Sequence, residues 1–474
     1  MTVDKKIPTE VLRLLDEQGV FFLIKGEAGT GKTTFALELL KRYRDRNGVY
    51  LSTRSTSQKF FKHFPWIKES IKPELVIAVA ESYEEEIESE FGSFESMGVV
   101  FQFFEEFYER ARKLEKPVIV VDSWEGIAQR MGEKERLKTE NALVTLVEKA
   151  NANLIFISEE PERTVLDYLA DGVVVVNRRE LEGKLPFHTR LVREVEVRKL
   201  KGIEIKQPKH PFTLNGGRFQ YFPSFKAEIP AKPVKPKPIP DTNNKVSAGS
   251  KEFDDLLSGG FQKGSFNLLE IEYGVGSTYN YLIFSAIINF LNQQRGVVIL
   301  PTEGTTAQTY YDGVVPFTEE DDFEKYTRII QRSGVEGKVK PYVVPVPLTG
   351  LAFRETNIEW IKTIRELERK TKGAPVLGVM GIDSLEYTYG ASEVEKEIGV
   401  GISLTKISNH VVLGIAKQGQ ALIDKLSQMS TTHFVVKNVD GAIVVYGVIP
   451  RTGIYNVSVD VSKGYNNVKL TPIV

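Results

Sequence analysis

Apolar runs of five or six residues recur through the first half of the chain, separated by stretches whose apolar residues return every three or four positions. "VFFLI" (20–24), "GVYLST" (48–53), "LVIAVA" (75–80), "PVIVVD" (117–122), "NLIFIS" (153–158) and "GVVVVN" (172–177) are rich in Val and Ile and lack polar alternation. Such runs suit strands buried on both faces. The pieces between them, such as "FALELLKRY" (35–43) and "VFQFFEEFYERARKL" (100–114), carry helical spacing. Strand and helix in alternation predict right-handed crossovers and a mainly parallel α/β sheet. The acidic piece "ESYEEEIESEFGSFES" (81–96) reads as solvated surface without assigned chemistry.

The pattern breaks at "PSFKAEIPAKPVKPKPIPDTNNK" (223–245), where six prolines fall within 223–240. A segment of this kind predicts an extended, semi-rigid connector. Beyond it the pattern restarts. "KEFDDLLSGGFQKGSFNLLEIEYGVGSTYNYLIFSAIINFL" (251–291) is laid out like "PTEVLRLLDEQGVFFLIKGEAGTGKTTFALELLKRY" (8–43). "GVVILPTE" then answers "GVYLSTRS", "VLGVMGIDSLE" answers "PVIVVDSWE", "VVLGIAK" answers "NLIFISE" and "NVDGAIVV" answers "LADGVVVV". Matched segments in unbroken order predict a duplicated α/β domain. The expected organisation is a first domain at 1–222, a Pro/Lys-rich linker at 223–245 and a second domain at 246–474.

Composition narrows the chemistry. The 474 residues include no cysteine and five histidines, so disulfides and thiolate metal sites are excluded and a zinc site is not expected. A net charge of −1 supplies no global attraction to nucleic acid or to an anionic membrane. No run approaches 18 apolar residues, and "MTVDKKIPTEVLRLL" lacks the apolar core of a signal peptide, so a cytoplasmic protein without a membrane segment is expected.

The strongest chemical signal is "GEAGTGKTT" (26–34), between an apolar run and a helical one. Gly26, four residues, then Gly31-Lys32-Thr33 is the spacing of a Walker A phosphate loop. Residues Gly26, Glu27, Ala28, Gly29, Thr30, Gly31, Lys32, Thr33 and Thr34 are placed to wrap a nucleotide phosphate, with the positive end of the following helix behind them. Lys32 reaches the β- and γ-phosphates, and the Thr33 hydroxyl ligates Mg²⁺. ATP and Mg²⁺ are the expected ligands. Asp122, ending "VIVVD", takes the Walker B position that holds Mg²⁺ through water.

Superposing the second copy puts Ile271 through Thr278 on Gly26 through Thr33, so Ser277 stands where Lys32 does. Without that cation the second site is expected not to hydrolyse ATP, although Asp383 keeps the acidic position. The base is less clear-cut. A glutamate following the strand after the P-loop helix ordinarily orients the attacking water, and here that stretch reads Ser52-Thr53-Arg54-Ser55. Glu125, Glu159 and Glu27 are the candidate substitutes. Arg54 is a candidate contact to nucleotide, to a subunit interface or to solvent.

"GEAGTGKTT", "VIVVDSWE", "LADGVVVV" and "EVEVRKLKGIEIKQPKHPFTL" (194–214) together resemble the RecA-superfamily ATPases of the KaiC type, and "GVYLSTRSTSQKFFKHFPW" is similar to archaeal P-loop regulators encoded in gas-vesicle operons. The resemblance covers residues 5–222 well and 246–448 more faintly. It implies two tandem RecA-like P-loop domains with mainly parallel central sheets, the second degenerate, and a homo-oligomeric ring with nucleotide between subunits. It also implies that Lys199 and Lys201, on the matching positions of a basic pair, serve the neighbouring subunit's nucleotide as catalytic cations. The function expected is an ATP-binding regulator with slow Mg²⁺-dependent hydrolysis in the first domain and an unidentified protein partner. A recombination-type DNA-binding ATPase is disfavoured by the near-zero charge and the lack of an aromatic and basic stripe. A nucleotide sensor without turnover is the other alternative.

Overall fold

The computed structural model describes residues 6–43, 48–78, 113–129, 131–181, 189–242, 244–332, 340–346 and 352–474. The acidic segment 81–96 and nearly all of the helical pattern at 100–114 lie outside them. The chain divides into two compact units, Met1–Pro223 with Ile473–Val474, and Ser224–Pro472.

The first unit is built on β1 (Phe21–Lys25), β2 (Gly48–Ser52), β3 (Val76–Ala78), β4 (Val118–Asp122), β5 (Asn153–Ser158), β6 (Gly172–Leu181), β7 (Arg190–Leu200), β8 (Lys209–Thr213) and β9 (Gln220–Tyr221). They form one sheet in the order β3-β2-β4-β5-β1-β6-β7-β8-β9. The six strands from β3 to β6 are parallel and the last three antiparallel. Alternate residues of each strand enter opposite cores. Phe22, Ile24, Val120 and Ile155 pack on one face, and Phe21, Leu23, Val121 and Phe156 on the other. Both faces are covered, which is why these strands read as apolar without alternation.

The second unit adds β10 (Lys245–Val246) and β11 (Phe261–Gln262), a two-stranded pair. Its main sheet comprises β12 (Ser265–Ile271), β13 (Val297–Leu300), β14 (Thr327–Arg332), β15 (Val343–Val346), β16 (Leu377–Gly381), β17 (Val411–Lys417), β18 (Thr432–Val439), β19 (Ala442–Ile449), β20 (Ile454–Asp460) and β21 (Asn467–Ile473). The order is β15-β14-β13-β16-β17-β12-β18-β19-β20-β21. Its central run β13-β16-β17-β12-β18 repeats β2-β4-β5-β1-β6, the topology expected of two tandem RecA-like domains.

Two details of the repeat differ from the sequence expectation. "NVDGAIVV" does not stand for "LADGVVVV": it is the hairpin joining β18 to β19, with Asp440 and Gly441 both at positive φ, as a tight two-residue turn requires. The strand that pairs β12 as β6 pairs β1 is "THFVVKNV". Asp383 does not end a strand either: β16 stops at Gly381, and Asp383 sits in the first turn of the helix Ile382–Tyr389.

The proline-rich stretch from Ser224 to Pro240 has no regular structure. It is tied to its own unit by backbone groups, among them Ile239 N–H donating to Asn289 Oδ1 at 2.7 Å and Val234 N–H donating to the Gly464 carbonyl at 2.7 Å. An extended chain without its own core satisfies its polar groups on the surface it follows.

Candidate functional site

The loop "GEAGTGKTT" leaves the carboxyl end of β1 and enters the helix Lys32–Arg42, whose N-cap Gly31 has φ 109°. Gly26 has φ +147°, and a Cβ there would fall 2.2 Å from the Val176 carbonyl oxygen. Only glycine fits that approach. Glu27, Ala28 and Gly29 form the exposed loop tip, while Thr30, Lys32 and Thr34 are buried and Thr33 is half-buried.

Lys32 is 6 % exposed, and its Nζ donates to the carbonyls of Gly26 and Glu27, both at 2.7 Å. Burial lowers the ammonium's pKa, and Glu159, Asp122 and Glu125 oppose that shift. The loop thus arches over a buried cation whose carbonyl partners a phosphate oxygen can replace.

Thr33 Oγ1 donates to Asp122 Oδ2 at 2.6 Å, and Tyr50 OH donates to the same oxygen at 2.5 Å. Strand pairing of β2 with β4 places Tyr50 beside this carboxylate. Burial raises Asp122 above the ordinary carboxylate value, against the hydrogen bonds from Thr33 and Tyr50 and the charge of Lys32. Burial and Asp122 together hold the Tyr50 phenol well above its usual range, so it stays a donor. A hydroxyl and a carboxylate, both hard oxygen donors beside a phosphate loop, fit Mg²⁺.

The three candidate bases are in different states. Glu27 is exposed at the loop tip. Glu159 is engaged through both oxygens by Arg54, at 2.6 and 2.8 Å. Glu125, 5 % exposed at the start of the helix Glu125–Ala128, accepts from Ser158 Oγ at 2.5 Å through Oε1, while its buried Oε2 has no partner among the described residues. The charges of Glu159 and Glu125 both act on Lys32.

Lys199 and Lys201 lie elsewhere. Lys199 pairs with Val173 at the amino end of β6, whereas the loop leaves the carboxyl end of β1, which runs parallel to β6. Lys199 Nζ donates to the carbonyls of Asp167 and Tyr168, and Lys201 Nζ pairs with Asp171 Oδ1 at 3.0 Å. These lysines and their own phosphate loop occupy opposite edges of the sheet.

Reading residues in order missed Tyr50, hidden in an apolar run, and Arg193, whose Nη1 donates to the Thr30 carbonyl at 3.1 Å from β7. It also missed Lys417, although a lysine ending the apolar "VVLGIAK" was a visible signal. In the second unit Lys417 Nζ lies 2.7 Å from Asp383 Oδ2 and donates to the Glu303 carbonyl at 2.7 Å. Burial raises Asp383, and Lys417 opposes it. Thr278, on the position of Thr33, donates to the Val275 carbonyl at 2.6 Å. The following helix begins at Asn280, three residues beyond Ser277. The second loop has therefore lost the lysine, the helix start and the hydroxyl–carboxylate pair, and an internal ammonium neutralises its acid.

Residues 17–219 match the family model described as "ATPase: KaiC". Over nearly its whole length the chain is similar to Protein GvpD2 of Halobacterium salinarum, 24 % identical with 98 % of this chain and 96 % of that protein covered. Protein GvpD1 of the same organism is 23 % identical over 97 % and 95 %. The circadian clock oscillator protein KaiC of Thermosynechococcus vestitus is 25 % identical over 58 % of this chain and 53 % of its own. Among the described residues no helix is long and apolar enough to cross a membrane. Residues 17–219, most of the first unit, are thus similar to the KaiC-type ATPases, and the second unit repeats the strand order of the first around a loop that lacks the lysine.

Proposed function

We propose that the first unit binds and slowly hydrolyses Mg²⁺·ATP, that the second does not turn over, and that the nucleotide state switches an interaction with a protein partner. The contrast between two carboxylates supports this reading most directly. Asp122 is poised with Thr33 beside a lysine-bearing loop, whereas Asp383 is held by Lys417.

The backbone N–H groups of residues 29–33 and the Lys32 ammonium bind the phosphates, Lys32 exchanging the Gly26 and Glu27 carbonyls for phosphate oxygens. Thr33 and Asp122 would hold Mg²⁺, which neutralises charge on the β- and γ-oxygens. Glu125 is assigned the base, because its Oε2 has no partner among the described residues while Arg54 occupies both oxygens of Glu159. It accepts a proton from water as the water oxygen bonds to the γ-phosphorus and the bond to the bridging oxygen breaks, giving ADP and phosphate. The position of Lys199 and Lys201 across the sheet from their own loop favours action on a neighbouring subunit's nucleotide in a homo-oligomer.

The test is hydrolysis of γ-labelled ATP by the full chain. Glu125→Gln is expected to lower turnover by about 10²-fold or more while ATP affinity holds. Unchanged turnover in Glu125→Gln with loss in Glu159→Gln would move the base to Glu159. Tight binding with no turnover in the wild type would leave a sensor.

A further inference from the structure

The second unit contains a cavity of about 430 Å³ that shares no residue with the degenerate loop or with Asp383 and Lys417. Its floor is Phe266, Met380 and Val412 of β12, β16 and β17, and its walls are the helices Phe353–Lys370 and Ala391–Lys406, which contribute Trp360, Ile364 and Ile402. The volume lies within the range of small-molecule sites, roughly 300–1,000 Å³. Its length follows from Asn357 and Glu368, which line it from one helix eleven residues apart, about 16 Å along the axis.

Three features point to a ligand. Asn357 is 8 % exposed, and its amide forms no hydrogen bond with any described residue. The amide lines the slot, where a ligand group can take the place of water as its partner. Gly401 sits in the middle of a helix, where glycine is unfavourable relative to alanine, yet a Cβ there would meet only Asn357 Oδ1, at 3.6 Å. Packing does not require this glycine; its lack of a side chain keeps the space beside Asn357 open. At the other end, Arg365 forms no ion pair among the described residues. Beside it His410 Nδ1 accepts from the Val376 N–H at 3.3 Å, which leaves the proton of the neutral ring on Nε2, 3.7 Å from Glu368 Oε2. Ile407, 84 % exposed, stands among the lining residues.

We propose that this slot binds an elongated apolar carboxylic acid carrying a hydrogen-bonding group at its far end. The carboxylate is held by Arg365 and the His410 Nε2–H, the apolar body lies over Trp360 and Ile364, and the far group pairs with the Asn357 amide. Glu368, 3.7 Å from His410 Nε2, repels negative charge at the head, and Arg365 is the cation that offsets it.

The probes are 12-hydroxydodecanoate and dodecanoate, titrated into the full chain by calorimetry, with tryptophan emission as a second readout because Trp360 lines the slot. Both are expected to saturate at one per chain, the hydroxy acid about fivefold tighter through its bond to Asn357. Gly401→Leu should abolish binding of both with an unchanged or raised melting temperature, since leucine favours the helix. Arg365→Gln, at the surface, should weaken both alike by about tenfold. Asn357→Leu should erase the difference between the probes. No saturable binding at millimolar probe, or binding that survives Gly401→Leu, overturns the proposal. A hydroxyl preference that persists in Asn357→Leu overturns the assigned orientation.

Discussion

Lys32→Ala is the most direct test of the difference between the two loops. The wild-type ammonium is buried and donates twice, at 2.7 Å, to the Gly26 and Glu27 carbonyls. The charges of Glu159, Asp122 and Glu125 offset the burial that lowers its pKa. With nucleotide bound, the same donors face phosphate oxygens. Because Lys32 gives up two carbonyl partners to face the phosphate, the net gain is taken as about one hydrogen bond to a charged group, roughly 1.5–3 kcal/mol, and each 1.4 kcal/mol is tenfold in affinity, so removal should weaken Mg²⁺·ATP binding by about 10- to 150-fold. Binding is weakened rather than erased, because the loop N–H groups and the Thr33–Asp122 pair remain. Ser277→Ala should change affinity by less than about twofold, since Ser277 faces no preformed phosphate cradle. Calorimetric titration of the full chain with Mg²⁺·ATP reads both quantities, with one tight site per chain expected. Two tight sites of equal affinity, or Lys32→Ala binding within about threefold of wild type, would refute the reasoning.

Three further outcomes follow from the same geometry. Because burial raises the Asp122 carboxyl and a proton there competes with the metal, Mg²⁺ affinity should fall with acidification at a pH above the ordinary carboxylate range and level off above the raised value; Mg²⁺ titrations at fixed ATP across that window check the sign. Gly26→Ala forces a Cβ to 2.2 Å from the Val176 carbonyl at φ +147°, a strain of about 1–3 kcal/mol, so the first unit should melt several degrees lower and bind ATP less tightly. Mixing Lys32→Ala with the double variant Lys199→Ala, Lys201→Ala should restore part of the ATPase activity if the lysines act across subunits; no recovery in oligomers shown by light scattering to be mixed would exclude that role.

What could be read along the chain was whatever depends on neighbours in sequence. The phosphate loop is contiguous, and strand, loop and helix around it obey local periodicity, so Gly26 through Thr34 were legible from spacing alone. Runs buried on both faces announced the parallel sheet, and matched segments announced its repetition, apart from the Asp440–Gly441 hairpin, whose composition imitates a loop entering a strand. Everything that depends on strand order was decided by the tertiary structure. Thr33 meets Asp122 across 89 positions and Arg54 meets Glu159 across 105, because parallel strands deliver their carboxyl ends to one edge whatever their separation along the chain. Strand order also leaves Glu125 Oε2 buried without a partner among the described residues, sets Lys417 on Asp383 and puts Lys199 and Lys201 at the opposite edge, since electrostatic partners are fixed by distances in space and a chain of residues carries none of them.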